Sequence, residues 1–329
     1  MSFPKIAVVG AGNLSTRRIY PYLATAGAKL VGVCDLDLEK AARNAELFGG
    51  KPYDDMDKML DAAQPDGVIV CVGPEAHAEL APKIMRHGLP VYTEKPPAAC
   101  AEDALKVARV SEETGQLCVT AFKKRYSRAY TRAKKFIEEF GPEELESLSI
   151  DYASSRYTNE SFRTSFLLDF CIHMIDLSGY LFGDAEQVFV FAREKHSYAV
   201  SVRYASGAVG SFNFTDGRSF QIPTEEVEIT AAGGNFMSVH NSSQWRIARD
   251  GECVEYREPP TFVSGGDSGR DTGHLSELED FIDAVRTGRK ESRSSVQNSY
   301  RSMVLYEGIV RSCEKSESVN LTYEEVEKA

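Results

Sequence analysis

Lys95 and His173 are the two side chains in this sequence best suited to act on a hydroxyl group, and each sits in an unusual local setting. Lys95 belongs to Thr93-Glu94-Lys95-Pro96-Pro97, where two proline rings fix the backbone, remove amide donors and raise the chance of a cis peptide. His173 lies in the stretch 166–182, which is apolar nearly all the way round except for Asp169, His173, Asp176 and Ser178. A helix of that character is buried. The spacing stacks Asp169, His173 and Asp176 on one helical stripe, with Asp169 able to orient the imidazole. A satisfied core histidine is the competing reading, but buried ionisable groups are costly unless they are paired or used.

Such a set suits the oxidation of a secondary alcohol. The hydroxyl proton must leave as the carbinol hydride departs, and a base with a pKa near the working pH serves best, as imidazole does at about 6.5. Asp169 would hold the tautomer and stabilise the imidazolium, while the Lys95 ammonium would stabilise developing alkoxide charge. Either Lys95 or His173 could be the formal base, since a cationic ring nearby lowers a lysine pKa.

A hydride needs an acceptor, and the first third of the chain is patterned to hold one. Short apolar runs at 6–9, 29–34, 67–72, 90–93 and 117–121 alternate with helical patterns at 14–24, 38–48, 55–63, 75–87 and 101–114. That alternation predicts a parallel, doubly wound sheet that binds its ligand at the carboxyl ends of the strands. Gly10-Ala11-Gly12 follows the first strand, and its glycines let the backbone approach a pyrophosphate, with the amides near Asn13 and Leu14 at a helix N-terminus. Ser15 replaces the third glycine of the usual pattern.

Asp35 ends the second strand, where a carboxylate accepts from an adenosine ribose and repels a 2'-phosphate, so NAD is expected over NADP. Lys40 and Arg43 keep NADP open, and capping of the next helix by Asp35 or Asp37 is the structural alternative. Val72, Gly73, Pro74 and His77 at the next strand end, and Glu94 with Lys95 at the one after, complete the expected cofactor contacts. His77 reads equally well as a structural residue.

The 329 residues suggest two domains, 1–122 and 123–329, with a cleft between them as the workplace. A basic helical stretch, 123–139, leads to Gly141-Pro142, after which period-two runs at 188–192, 199–204, 208–214, 227–231 and 236–239 predict an open, mostly antiparallel sheet. The fold class is therefore α/β, an N-terminal Rossmann domain followed by a C-terminal α+β domain. The sheet's other face is expected to serve a dimer or tetramer contact. Helices at 275–286 and 296–313 are expected to pack back on the first domain, and the Gly-, Pro- and Ser-rich loop 259–273 to move over the site.

The net charge of −11 argues against nucleic-acid and anionic-membrane partners. Seven scattered cysteines without a C-x-x-C pair indicate neither disulfides nor a metal site. An apolar strand starting near Lys5 leaves no room for a signal peptide, and no apolar run spans a bilayer, so a cytoplasmic protein is expected.

Taken together, Gly10-Ala11-Gly12, the turn from Pro74 to His77, Glu94-Lys95-Pro96 and Asp169-x3-His173-x2-Asp176 resemble the Gfo/Idh/MocA family, named for glucose-fructose oxidoreductase, inositol dehydrogenase and MocA. The resemblance spans essentially the whole chain. It implies that Lys95 and His173 flank the reacting carbon, that Asp169 is the motif aspartate, and that the substrate is a sugar, cyclic polyol or sugar derivative. Phe122-Lys123-Lys124-Arg125-Tyr126 resembles the stretch lining an inositol-type pocket, which implies that Lys123 and Lys124 touch substrate hydroxyls. Cys171 departs from the glycine often found there and is expected to narrow the pocket. Two other activities occur among relatives: NAD-retaining cleavage of glycosides through transient oxidation, and non-catalytic, regulatory NAD binding.

Overall fold

The computed structural model describes residues 3–158, 165–219, 224–258 and 268–326. They divide into two compact units, one made of Met1–Phe122, His274–Tyr300 and Glu325–Ala329, the other of Lys123–Gly273 and Arg301–Glu324. Most of the loop expected at 259–273 falls outside the described residues; its last part is the short helix Ser268–Thr272.

The first unit is built on six parallel strands, β1 (Lys5–Val9), β2 (Lys29–Cys34), β3 (Lys51–Tyr53), β4 (Gly67–Val70), β5 (Val91–Thr93) and β6 (Cys118–Thr120). Their order is β3-β2-β1-β4-β5-β6, the doubly wound arrangement. Ile6, Val8, Ile69 and Tyr92 face one core, and Ala7, Val9, Val68, Val70 and Val91 face the other. Burial on both faces explains why these strands read as unbroken apolar runs. The three-residue edge strand β3, Lys51-Pro52-Tyr53, has no such run and gives no signal. The helix expected over 14–24 is two pieces, Asn13–Arg18 and Tyr20–Leu23. Pro21 is the cause, because it lacks an amide proton and its ring crowds the preceding turn.

Helix His274–Thr287 belongs to the first unit, where Leu278, Phe281 and Ile282 join the core and the Phe281 ring lies 5.7 Å from that of Tyr92. The final helix, Val296–Lys315, departs from expectation, since only its first five residues belong to the first unit. Its remainder is tied into the second unit, through Ser302 Oγ donating to Asp176 at 2.7 Å and Ser312 Oγ accepting from the Val190 amide at 3.0 Å.

The second unit carries a nine-stranded sheet of β7 (Leu145–Ser155), β8 (Ala185–Arg193), β9 (Ser197–Tyr204), β10 (Val209–Arg218), β11 (Thr224–Ala231), β12 (Asn235–His240), β13 (Gln244–Arg249), β14 (Glu252–Arg257) and β15 (Val319–Asn320). The order is β14-β13-β12-β11-β7-β10-β9-β8-β15, and among the described residues only the β7–β10 pair is parallel. Alternation puts Ile150, Val200, Phe212 and Val227 inward and Ser149, Ser201, Ser211 and Glu228 outward. Among the described residues the outward face is therefore largely polar, with Phe189, Phe191 (71% exposed) and Val209 among its apolar exceptions. The central strand β7 escapes the sequence pattern because its serines supply neither β-branching nor clean alternation.

Candidate functional site

Strand register gives the first unit a single working edge. Val9 pairs with both Cys34 and Val70, and Val70 pairs with Thr93, so four strands end level. The residues that follow, Gly10, Asp35, Cys71 with Val72, and Glu94 with Lys95, lie side by side along that edge. Main-chain bonds lace it: the Gly10 amide donates to Cys34, Cys71 to Val9, and Glu94 to Val70, at 2.7, 2.8 and 2.9 Å.

Gly10 has φ +106°, and a Cβ there would fall 2.1 Å from the Cys71 carbonyl oxygen, so the position requires glycine. A Cβ on Gly12 would meet nothing within 4 Å, leaving open space directly before the helix that begins at Asn13. Neither that helix nor Pro74–Arg86, which opens after Gly73, has a side-chain cap at its N-terminus. Ser15 is fully buried and donates to the Gly12 carbonyl at 3.1 Å, filling the third-glycine place without blocking the turn.

Asp35 is held at the end of β2 by amides, accepting from Ala11 at 2.7 Å and from Asp37 at 2.9 Å. Asp37 does the capping instead, accepting from the Glu39 and Lys40 amides. The side-chain hydrogen bond from Lys40, then the bonds from these amides, holds its carboxyl below the usual range. Leu14, Leu36 and Val72 are exposed along the same edge, with Leu36 at 97%. Uncapped amides, open space at Gly12, a fixed carboxylate and bare apolar side chains fit the pyrophosphate, ribose and flat rings of a dinucleotide.

His77 does not join that surface. It is fully buried; Nε2 accepts from the Val72 amide at 3.2 Å, and Nδ1 donates to the Pro96 carbonyl at 2.9 Å. Since an amide only donates and a carbonyl only accepts, these partners fix the tautomer. Burial pushes the pKa down to about 4, so the ring is a neutral brace between two strand ends. This corrects its expected place among the cofactor contacts. The peptide joining Lys95 and Pro96 is cis. Glu94 is buried and accepts from the Lys95 amide at 3.1 Å, while Lys95 itself is half-buried.

In the second unit the expected helix is interrupted where the chemistry-bearing residues begin. Leu167–Cys171 form a π turn, followed by the α-helix Ile172–Phe182. Wide turns of this kind are uncommon and are frequent at functional sites. Asp169 and His173 are half-buried, whereas Asp176 is fully buried. Asp176 takes a bidentate pair from Arg125 at 2.9 and 2.6 Å. It is thus a structural counter-ion, not a third member of the reactive stripe. Cys171 is fully buried, and burial raises its thiol pKa, which places it in the core instead of narrowing a pocket.

Lys124 also departs from expectation. It is buried beside Glu225, donates to Ser242 Oγ at 3.2 Å and sits over the Tyr130 ring. Burial would raise the Glu225 carboxyl, but the charge and hydrogen bond of Lys124, with Ser242 and Tyr130, outweigh it and hold it low. An ammonium so engaged does not serve a substrate hydroxyl. Lys123, in the same 3-10 turn, is half-buried.

Two participants escape the motifs. Tyr157 donates its hydroxyl to Asp169 Oδ2 at 3.1 Å, and the fully buried Asp216 accepts from the Tyr157 amide at 3.0 Å. The signal for Asp216 was parity, since it continues the inward series Phe212, Phe214 and puts a carboxylate where apolar side chains are expected. Glu225 does the same before Val227 and Ile229.

Residues 4–122 match the model described as "Oxidoreductase family, NAD-binding Rossmann fold", and residues 155–321 the model described as "Oxidoreductase family, C-terminal alpha/beta domain". The chain belongs to the Gfo/Idh/MocA family of NAD-binding oxidoreductases. It is 24% identical to a 4-carboxy-2-hydroxymuconate-6-semialdehyde dehydrogenase from Sphingobium sp., over 88% of this chain and 93% of that one. It is 23% identical to the myo-inositol 2-dehydrogenase of Thermotoga maritima, over 96% of this chain and 98% of that one. Its fold matches that of levoglucosan dehydrogenase, solved in complex with NADH and L-sorbose, with a TM-score of 0.85 at 20% identity, over 98% of this chain and 100% of that one. Among the described residues, no helix is long and apolar enough to cross a membrane.

Proposed function

We propose that this chain is an NAD-dependent dehydrogenase acting on a secondary hydroxyl of a sugar, cyclic polyol or sugar derivative. The observation that carries the reading is the level edge of the first sheet, where Gly10, Asp35, Val72 and Lys95 succeed one another. The relative named myo-inositol 2-dehydrogenase acts on a cyclic polyol, in keeping with such a substrate, whereas the one named as a semialdehyde dehydrogenase acts on an aldehyde.

In this reading Gly10, Gly12, Asn13 and Leu14 hold the pyrophosphate, Asp35 the adenosine ribose, and Val72, Gly73, Pro74 and Glu94 border the nicotinamide. NAD, when bound, supplies the hydride acceptor. His173 takes the hydroxyl proton, Asp169 fixes and charge-balances the imidazole, and Lys95 stabilises the alkoxide that develops. Lys123 remains the candidate from its turn for a substrate hydroxyl. The Asp35 carboxylate, already held by two amides, favours NAD over NADP by repelling a 2'-phosphate.

The test is NAD reduction over a panel of inositols, aldoses, glycosides, sugar acids and cyclic hemiacetals, repeated with NADP. Stoichiometric NADH with one of these alcohols is the expected result. Release of an aglycone without net NADH would instead assign glycoside cleavage, and NAD binding without turnover would assign a regulatory role. The reading extends to a cytoplasmic homodimer or homotetramer joined through the outward face of the second sheet, where Phe191 borders a depression of about 480 Å³. Sedimentation of the purified chain measures that state.

A further inference from the structure

The second unit holds Asp169 by a chain of contacts that none of the motif residues accounts for. Asp216 is fully buried, and its carboxylate joins two segments, accepting from the Tyr157 amide at 3.0 Å and the neighbouring Arg156 guanidinium at 3.4 Å on one side and from His196 Nδ1 at 2.8 Å on the other. Its own amide donates to the His196 carbonyl at 3.0 Å. Burial would raise this carboxyl, but the Tyr157 amide, then His196 and Arg156, hold it below the usual range, so it stays an acceptor. The backbone of Tyr157 is thereby fixed just beyond the end of β7. Its ring stands edge-on to Phe170, with centroids 5.7 Å apart, and its hydroxyl ends on Asp169.

We propose that Tyr157 is a positioning residue, anchored by Asp216, whose hydroxyl sets the orientation and charge of the Asp169 carboxylate one turn before His173. The proposal rests on the reading of His173 as the group that takes the substrate proton. The Asp169 carboxylate projects from a π turn, an uncommon element that is frequent at functional sites, and the phenol gives it a fixed partner there. The phenol also draws electron density from Asp169, which moderates how strongly that carboxylate raises the proton affinity of the imidazole. Among the described residues, the titratable groups near Asp169 include Tyr152 from β7, and Cys171 and His173 lie on its own segment. Both Tyr152 and Cys171 stay protonated, since burial raises each of them.

The decisive variant is Tyr157→Phe in the full chain with NAD, because it keeps the edge contact to Phe170 and deletes only the hydroxyl. Expected are a fall in kcat of about tenfold, little change in KM or NAD affinity, and an acidic limb of the pH profile displaced upward by about half a pH unit. Asp216→Asn, which can still accept from the Tyr157 amide, should move the limb in the same direction by less. The His173 imidazole titration, followed by NMR in the chain without substrate and assigned with His173→Gln, should show the same upward displacement. A Tyr157→Phe chain with reduced thermal stability but an unmoved limb and an unmoved titration would overturn the proposal. If wild type reduces NAD with no alcohol, the dehydrogenase reading fails, while the NMR titration still decides the coupling between Tyr157 and His173.

Discussion

The two units solve the same problem, holding polar groups at fixed points, by opposite means. In the first, the backbone does most of the holding: strand-end amides lace the edge, glycine makes room, and Asp35 and His77 are both bound to main-chain partners. In the second, side chains hold side chains, through Arg125 with Asp176, Lys124 with Glu225, and Tyr157 between Asp216 and Asp169. A site made by strand register tolerates variation in the residues around it. One made by buried charge depends on partners that lie far apart in sequence, 51 positions for Arg125 and Asp176 and 101 for Lys124 and Glu225.

The sharpest break of this contrast is Arg125→Met. It leaves Asp176 buried with the Ser302 hydroxyl but without its cation, and should destabilise the chain by about 3–5 kcal/mol, read by urea unfolding. If the loss is below about 1 kcal/mol, the buried pair is not what organises the second unit. Next come the proposed reacting groups: Lys95→Met or His173→Ala should each lower turnover by at least about a hundredfold while calorimetry finds NAD binding retained. Unchanged turnover would remove that residue from the mechanism.

A smaller effect probes the backbone-held edge. The neutral His77 ring has its pKa depressed by burial to about 4 from an ordinary 6.5, so folding gains from it above pH 6.5 and loses that gain as pH falls toward 4. Between pH 7 and pH 5 the loss should be roughly 2 kcal/mol in wild type and largely absent in His77→Gln, whose amide can meet the same two partners. Equal pH dependence in both chains would show that acid sensitivity originates elsewhere. Smallest is Asp35→Ala, expected to reduce the preference for NAD over NADP about tenfold in parallel affinity measurements, equivalent to about 1.4 kcal/mol.

This difference in construction also explains what could be read from sequence. The strand ends after Val9, Cys34 and Thr93 were legible because a buried parallel strand is an apolar run that stops where the turn begins, and Gly10, Asp35 and Lys95 stand at those stops. His173 was legible as a polar residue in an apolar helix. Lys124 and Asp176 were misread because a charge in sequence looks alike whether it faces substrate or a counter-ion, and Glu225 and Arg125 are invisible as partners until the chain is folded. Tyr157 followed a serine-rich strand with no pattern, so nothing local marked it. Asp216 and Glu225 did leave a trace, as carboxylates in phase with inward apolar neighbours.

The first unit is assembled from separated lengths of chain, and its order of synthesis matters. When residue 122 leaves the ribosome, the apolar surface meant for Leu278, Phe281 and Ile282 is still bare, and some 150 further residues must be made before those side chains exist. The nascent protein therefore passes through an interval with a sticky, half-covered core, during which residues 123–273, most of the second unit, are made.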